Sequence, residues 1–375
     1  MTTSSIDDSA HIVSLDGMVN LLDNQISIDG QAVLSYDKKR GVLGNITYSP
    51  LGYFSTWIDY QNYETGLDLN HLGYLWRDNY SQIMAGIKFQ NQEPWGYIRS
   101  STIILEGEIE ENTDGLNLGK SVALNYDAML SNYWEIGCGF HRILEYYKDR
   151  EIFSDYNLDS FGPSIKIPEI TGTNFYISSD KHRVLSASLS WTYGTNTRED
   201  FQREHFIELT YRPTTFLTFS GNYNRYRLVR QYRWLEEIRD NNHVDHYIFS
   251  DFDKNVNIFS LRTSGNIGRN LSIQFYSEIF QNNDVYSNYS EYIEDSLRYF
   301  SANESDFIAK GLYTIDIDEI QSETSNLILD PNYFIGLYPR YTQFIFNGVL
   351  RWNYIHGSNI YVVYTSRKAV NGKIF

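Results

Sequence analysis

Glu106, Glu108 and Glu110 stand two residues apart in Leu105-Glu106-Gly107-Glu108-Ile109-Glu110. In an extended chain that spacing places three carboxylates on one face. Paired carboxylates can hydrolyse glycosides, one protonating the leaving group while the other attacks or activates water. Carboxylates this close also repel, so they need Lys, Arg or water beside them. Inside a pore the same three residues are an acidic lining, and that is how we read them, as lumen carboxylates without a catalytic role, because function must be argued from a whole site.

Four other groups invite chemistry. His243-Val244-Asp245-His246 offers imidazole and carboxylate, ligands that suit zinc. In an extended segment its two histidines point to opposite faces, and no third ligand is evident. Gly115-Leu116-Asn117-Leu118-Gly119-Lys120-Ser121 imitates a phosphate loop, with one residue too few between the glycines and no helical pattern after it. The stretch 281–343 holds Asp284, Glu291, Glu294, Asp295, Glu304, Asp306, Asp316, Asp318 and Glu319, hard oxygen donors of the kind calcium takes, but without EF-hand spacing. Tyr286, Tyr289, Tyr292 and Tyr299 in that stretch, with Phe300, are the candidates for stacking on sugar rings. Cys138, between Gly137 and Gly139, reads as a small residue at a crowded strand position. No catalytic residue, cofactor site or metal site is expected.

The composition narrows the class. The 375 residues carry 31 Lys and Arg against 47 Asp and Glu, a net charge of −16. So acidic a chain is a poor partner for nucleic acid, since phosphate contacts need cations. Aromatics make up 16 % of the residues, which excludes disorder. A single cysteine excludes an intrachain disulfide and any cysteine-based zinc site. No run approaches 18 apolar residues, so no transmembrane helix is expected.

The elements that must position these groups are strands. Leu185, Ala187, Leu189, Trp191 and Tyr193 alternate with Ser186, Ser188, Ser190 and Thr192. Ile207, Leu209 and Tyr211 alternate with Glu208, Thr210 and Arg212; 217–224 and 271–278 repeat the pattern. Strict period-2 alternation marks a strand with one apolar and one polar face. Tight turns at 130–132, 179–181, 212–215, 266–269 and 355–358 alternate with longer polar connections at about 61–79, 147–165, 195–204, 228–245 and 281–343. Short turn, long loop, short turn is the rhythm of an outer-membrane barrel, with short periplasmic turns and long extracellular loops. Only closure satisfies every backbone group of a sheet in lipid. Tyr53, Trp57, Trp95, Tyr97, Trp134, Trp191, Tyr193, Tyr211, Tyr223, Trp352 and Tyr354 are the candidates for interfacial girdles.

The expected fold is therefore all-β: an antiparallel up-and-down transmembrane β-barrel of about 14–16 strands. Residues 1–26 form a lead-in segment, either a first strand or a linker, and 27–375 form the barrel. Counting from residue 27 gives about 15 strands. Barrels of this kind have an even number, so a last strand is expected to lie beyond the chain. The start, MTTSSIDDSAH, has no signal-peptide pattern, so for an exported protein the signal would precede residue 1. The expected location is the outer membrane of a Gram-negative cell.

Three segments carry a family resemblance. Leu67-Asp68-Leu69-Asn70-His71-Leu72-Gly73-Tyr74-Leu75-Trp76-Arg77-Asp78 resembles a motif near the front of a barrel family. YIFSDFDKNVNIFSLRTSGNIGRNLSIQFYSEIF at 247–280 resembles its central signature, and FNGVLRWNYIHGSNIYVVYTSR at 346–367 its final hairpin. The family is domain of unknown function 5916. The resemblance implies an outer-membrane barrel that follows a module like family-9 carbohydrate-binding modules, with no transferable catalytic motif and usually one more strand after the Ser366-Arg367 position.

The leading reading is an outer-membrane barrel domain that anchors or forms a pore for carbohydrate binding or handling, not itself an enzyme. Its expected partners are outer-membrane lipid and, through the family module, carbohydrate; the oligomeric state is open. The alternatives are a glycan-acting hydrolase with carboxylates in the lumen or outer loops, and a soluble all-β sugar-binding protein. The last buries the face carrying Leu185, Leu189 and Trp191 within protein, whereas the barrel turns it to lipid.

Overall fold

The structure is a computed structural model of the chain, and it describes residues 12–69, 75–152, 161–239, 245–293, 296–299, 340–355 and 357–371. Every regular element among these residues is a strand. In chain order they are β1 (Ile12–Leu21), β2 (Ile26–Ser35), β3 (Arg40–Leu51), β4 (Phe54–Tyr63), β5 (Tyr80–Asn91), β6 (Ile98–Glu111), β7 (Asn117–Leu130), β8 (Glu135–Ile143), β9 (Tyr146–Lys148) and β10 (Ile165–Ile167). They continue as β11 (Ile170–Ser178), β12 (Leu185–Asn196), β13 (Phe201–Thr214), β14 (Leu217–Arg239), β15 (Asp245–Ile267), β16 (Leu271–Ile293), β17 (Ser296–Tyr299), β18 (Arg340–Ile355) and β19 (Ser358–Asn371). Sixteen of the 19 described strands have nine residues or more. The lead-in segment contains a strand, β1, which the count from residue 27 had left out.

The contacts divide the chain into two compact units. The first comprises Met1–Ala128, Gly139–Lys148 and Ile167–Ile170; the second comprises Met129–Cys138, Asp149–Lys166 and Thr171–Phe375. In the first unit, β1 to β6 pair antiparallel, each with the next in sequence. In the second, β12, β13, β14, β15 and β16 do the same, β16 continues to β18, and β18 pairs with β19. Within each unit this is the antiparallel up-and-down meander that the alternation requires.

Each unit sorts its side chains by parity. On β6, Ile103, Leu105 and Ile109 are exposed, while Glu106, Glu108 and Glu110 are half-buried on the opposite face. On β12 the exposed residues are Leu185, at 61 %, Ala187 and Leu189, at 39 %, while Ser186 between the first two is buried. Registers align these rows: Leu185 faces Tyr211 and Leu189 faces Ile207, and Tyr211 then faces Phe219. Leu261, Phe275 and Phe344 continue the exposed apolar face on β15, β16 and β18. A soluble sandwich would cover such a face, so the exposed Leu185 and Leu189 decide between the two all-β readings. A contiguous apolar surface of this extent marks contact with a membrane or a partner.

Several expected features take a different form. The connection 195–204 is a four-residue turn, 197–200, held by Asn196, whose Oδ1 accepts from the backbone N–H of Arg198 (2.9 Å) and Asp200 (3.0 Å). Segments 228–245 and 281–343 begin as strand, because β14, β15 and β16 each run 23 residues. Bulges between Leu228 and Gln231 and between Trp234 and Glu236 break the period in β14, which is why that stretch reads as loop. Trp57 belongs to the inward face: a Cβ on the facing Gly86 would meet its indole ring at 2.1 Å.

The turn 179–184 shows how the short connections are fixed. Asp180 Oδ1 accepts from the backbone N–H of His182 at 2.9 Å and lies 3.0 Å from its Nδ1. Arg183 Nε is 3.2 Å from Asp180 Oδ2. The His182 backbone hydrogen bond, with the imidazole and the guanidinium, holds the Asp180 carboxyl below its ordinary range.

Two outcomes follow from this packing. Gly86→Val collides with the Trp57 ring and lowers stability by about 1–3 kcal/mol, as overpacking does; Trp57→Ala in the same chain recovers part of the loss, read from denaturant midpoints of the folded protein. A lowered aspartate pKa stabilises the fold above the unfolded value of about 3.9, and that contribution disappears as pH falls through the lower folded value. The midpoint gap between wild type and Asp180→Asn is therefore constant near neutrality and closes below about pH 4.

Candidate functional site

The inward face of the first unit is a hydrogen-bonded polar ladder crossing β3 to β7. Asn45 on β3 donates to Asp59 on β4 at 2.5 Å, and Thr47 donates to Asn45 at 2.9 Å. Gln61 donates to Gln82 on β5, and Gln82 donates to Glu108 on β6. Glu108 also accepts from Ser121 on β7 at 3.4 Å. The ladder exists because period 2 puts these residues on one face and the antiparallel register sets them opposite one another. Gln61 faces Gln82, and Gln82 faces Glu110.

The three expected lumen carboxylates do share this face, and their roles differ. Glu110 accepts from the hydroxyl of buried Tyr80 and lies 3.5 Å from Gln82 Nε2. Glu108 and Glu110 thus converge on a single amide. Glu106 faces Gly86 in the register. Above the ladder, Tyr63, Leu67, Tyr80 and Leu118 form a buried apolar cluster with Val33, Leu69, Leu75 and Leu116. Leu67, Leu69 and Leu75 come from the front motif, and these three residues pack in the cluster. Glu108 and Glu110 are thus hydrogen-bonded acceptors beside an apolar cluster.

The second unit holds a cluster that the sequence did not disclose. Arg198, from the turn 197–200, lies 3.3 Å over the ring of Tyr232 on β14. Its guanidinium is 3.6 Å from Asp251 on β15 and 3.8 Å from Asp200. Asp200 also accepts from Asn196 at 2.8 Å. Burial pushes the Asp200 carboxyl above its ordinary range, opposed by the Asn196 hydrogen bond and by Arg198. Next to it Ile248, Phe249 and Phe252 are fully buried, with Ile152 and Ile165. The arginine clamps a turn onto the extended strands; the nearest sequence signal was the charge pair Arg198 and Asp200 beside Asn196.

Other singled-out residues fall in separate places. His246 Nδ1 lies 2.6 Å from Glu291 Oε1 across β15 and β16, whereas His243 lies outside the described residues. No group of three or more metal-ligating side chains occurs among the described residues. Gly115, with φ 83°, turns the hairpin between β6 and β7, where Asn112 accepts from Asp114 and Leu116. Cys138 is exposed on β8, not packed as expected. Tyr286, Tyr289 and Tyr292 sit on β16 and Tyr299 on β17, so they are strand residues. Tyr292 is buried and its hydroxyl donates to the Ser164 carbonyl at 2.8 Å, which withdraws its ring from sugar stacking. The side chains of Tyr286, Tyr289 and Tyr299 are outside the described residues.

An all-β antiparallel meander with an apolar outward face and a polar inward face defines the class of transmembrane β-barrel proteins. The family model "Domain of unknown function (DUF5916)" matches residues 6–317, and the chain belongs to that family. Among solved structures, the siderophore receptor PirA from Acinetobacter baumannii is similar at 8 % identity and a TM-score of 0.47, over 94 % of this chain and 59 % of that one. OmpT of Vibrio cholerae is similar at 8 % identity and a TM-score of 0.27, over 75 % of this chain and 96 % of that one. The chain thus spans 59 % of the length of the siderophore receptor. No curated protein matches it.

The Tyr80–Glu110 contact has a measurable consequence. Tyr80→Phe strands a half-buried carboxylate and lowers stability by about 1–3 kcal/mol. Glu110→Gln alone costs less, and the double variant costs less than the sum of the two. A double-mutant cycle by urea unfolding reads the coupling, and additive losses would show that the two side chains act independently.

Proposed function

We propose that this chain is the membrane-embedded β-barrel part of an outer-membrane protein. It acts there as an anchor or a pore and has no catalytic site of its own. The observation that carries this reading is the exposed apolar face, aligned in register from β12 to β18, backed by a polar inward face. Lipid is the solvent that such a face fits. The apolar rows begin at the short turns and stop well before the far ends of β14 to β16, as they would if these strands crossed a bilayer and continued into water.

The finer part of the proposal is that the barrel serves carbohydrate handling at the cell surface. Its support is the carbohydrate-binding module implied by the family resemblance. In that arrangement the barrel holds the module at the surface, and the anionic ladder lines the passage beneath.

Fractionation of cells expressing the full-length protein tests the location. Recovery in the outer membrane, with a folded band that shifts on heating before denaturing electrophoresis, is the expected result; recovery in the soluble fraction would reject the barrel. The same preparation run over immobilised polysaccharide tests the glycan part, which predicts retention that free oligosaccharide abolishes. Unretarded passage of the inserted protein would leave the anchor without a glycan role.

A further inference from the structure

The outward face changes character at one level of the second unit. From the short turns toward the far end, one row across β12, β13 and β14 is Leu189, Ile207 and Tyr223. The next outward row is Trp191, His205 and Arg225, and the one after it is Tyr193, Arg203 and Arg227. Apolar side chains thus give way to cations within two residues, flanked by aromatic rings. On β15 the same two rows carry Asn257 and Asn255, opposite Arg225 and Arg227.

These arginines lack the acidic partners that three others in the unit have. Arg198 pairs with Asp251, Arg230 with Glu199 and Arg183 with Asp180. Among the described residues, no side chain of Arg203, Arg225 and Arg227 makes an ion pair or a hydrogen bond; those of Arg203 and Arg227 meet aromatic rings only. Arg203 lies 5.4 Å from the Phe201 centroid and 5.7 Å from that of Tyr193, and Arg227 lies 5.6 Å from Phe201. The carboxylate of Asp253, further along β15, accepts the backbone N–H of Arg230 at 2.7 Å. Arg203 and Arg227 stand directly opposite each other, an arrangement that destabilises a sheet unless an anion lies between them. In a chain with 47 acidic residues against 31 basic ones, a shortage of carboxylates does not explain it.

Two rows below Arg225, the apolar face is notched. Gly221 has no side chain, and Ile207, Leu209, Tyr223, Phe259 and Leu261 wall a groove of about 400 Å³ around it. A Cβ at Gly221 would meet Leu261 at 3.0 Å. An apolar groove under a cationic row has the outline of an acyl chain below a phosphate. Guanidinium is the side chain that grips phosphate with two parallel hydrogen bonds.

We propose that Arg203, Arg225 and Arg227 bind the phosphorylated headgroup of an outer-leaflet lipid whose acyl chain lies in the groove at Gly221. The inference rests on the outer-membrane reading above. The phosphate sits between the facing guanidiniums and relieves their repulsion, and Trp191 and Tyr193 pack beside the headgroup.

The test inserts the full-length protein into nanodiscs of zwitterionic lipid doped with bisphosphorylated lipid A or with its dephosphorylated form. Retained lipid is then counted by native mass spectrometry. Wild type retains the phosphorylated form roughly tenfold better, since each surface cation adds markedly to the affinity for anionic lipid. Arg203→Gln/Arg225→Gln/Arg227→Gln loses that preference, while Arg269→Gln, a single arginine removed at a short turn, keeps it. Equal retention of the two lipids by inserted wild type overturns the proposal without reference to any variant. An unchanged preference in the inserted triple variant also overturns it. Protein that shows no heat-shifted band in the nanodisc refutes the membrane reading, and this inference with it.

Discussion

Backbone pairing is the constraint on which everything else in this chain depends. A strand in a medium without water has to give every N–H and C=O to a neighbour. The consecutive antiparallel registers of both units do this without a helix among the described residues. Once the register is fixed, parity follows, and a slip of one residue would exchange the two faces entirely. Glu108 then points inward because Ile109 points outward. Chemistry on the inward face is a consequence of the apolar pattern on the other side.

The same constraint relaxes along β14, β15 and β16. These strands are 23 residues long, about twice what a tilted crossing needs. Beyond the apolar rows, pairing continues but the solvent no longer dictates an alternation. The outward positions become Arg, His and Asn, and the other side is free to build a core of its own. Ile248 and Phe252 are buried on that side of β15, whereas Phe249 is buried on the opposite side, where Arg198 neutralises Asp251 and Asp200. Leaving either carboxylate buried without the guanidinium would cost several kcal/mol. The arginine and its two acids therefore act as one unit tying the turn to the sheet.

What was legible in the sequence was whatever the period-2 rule controls. Leu185 to Tyr193, Ile207 to Tyr211 and Glu106 to Glu110 fall on the faces that their spacing assigns. The reading failed where a second determinant entered. Segment 228–245 looked like a loop because bulges shift its phase and its outward residues are polar. Segment 195–204 looked long because Asn, Thr, Arg, Glu and Asp are common in loops; Asn196 uses that very chemistry to close a tight turn. Trp57 was grouped with interfacial aromatics by residue type, whereas parity and a facing glycine put it inside. Tyr292 shows the limit of composition, since nothing local reveals that Ser164, 128 residues earlier, receives its hydroxyl.

Charge follows the same sorting, and this separates a lining from a site. Glu108 and Glu110 of the first unit point inward, where an amide and hydroxyls from the two flanking strands satisfy them. A catalytic carboxylate needs a lone pair directed at open space and a partner of opposed protonation. Glu108 and Glu110 instead share Gln82 and are braced by Ser121 and Tyr80, so their oxygens are fixed acceptors. Unneutralised cations of the second unit stand on the outward face, in the rows where the apolar surface ends. A net charge of −16 conceals this division completely. Register sorts one averaged number into acids on the inward face of the first unit and arginines on the outward face of the second.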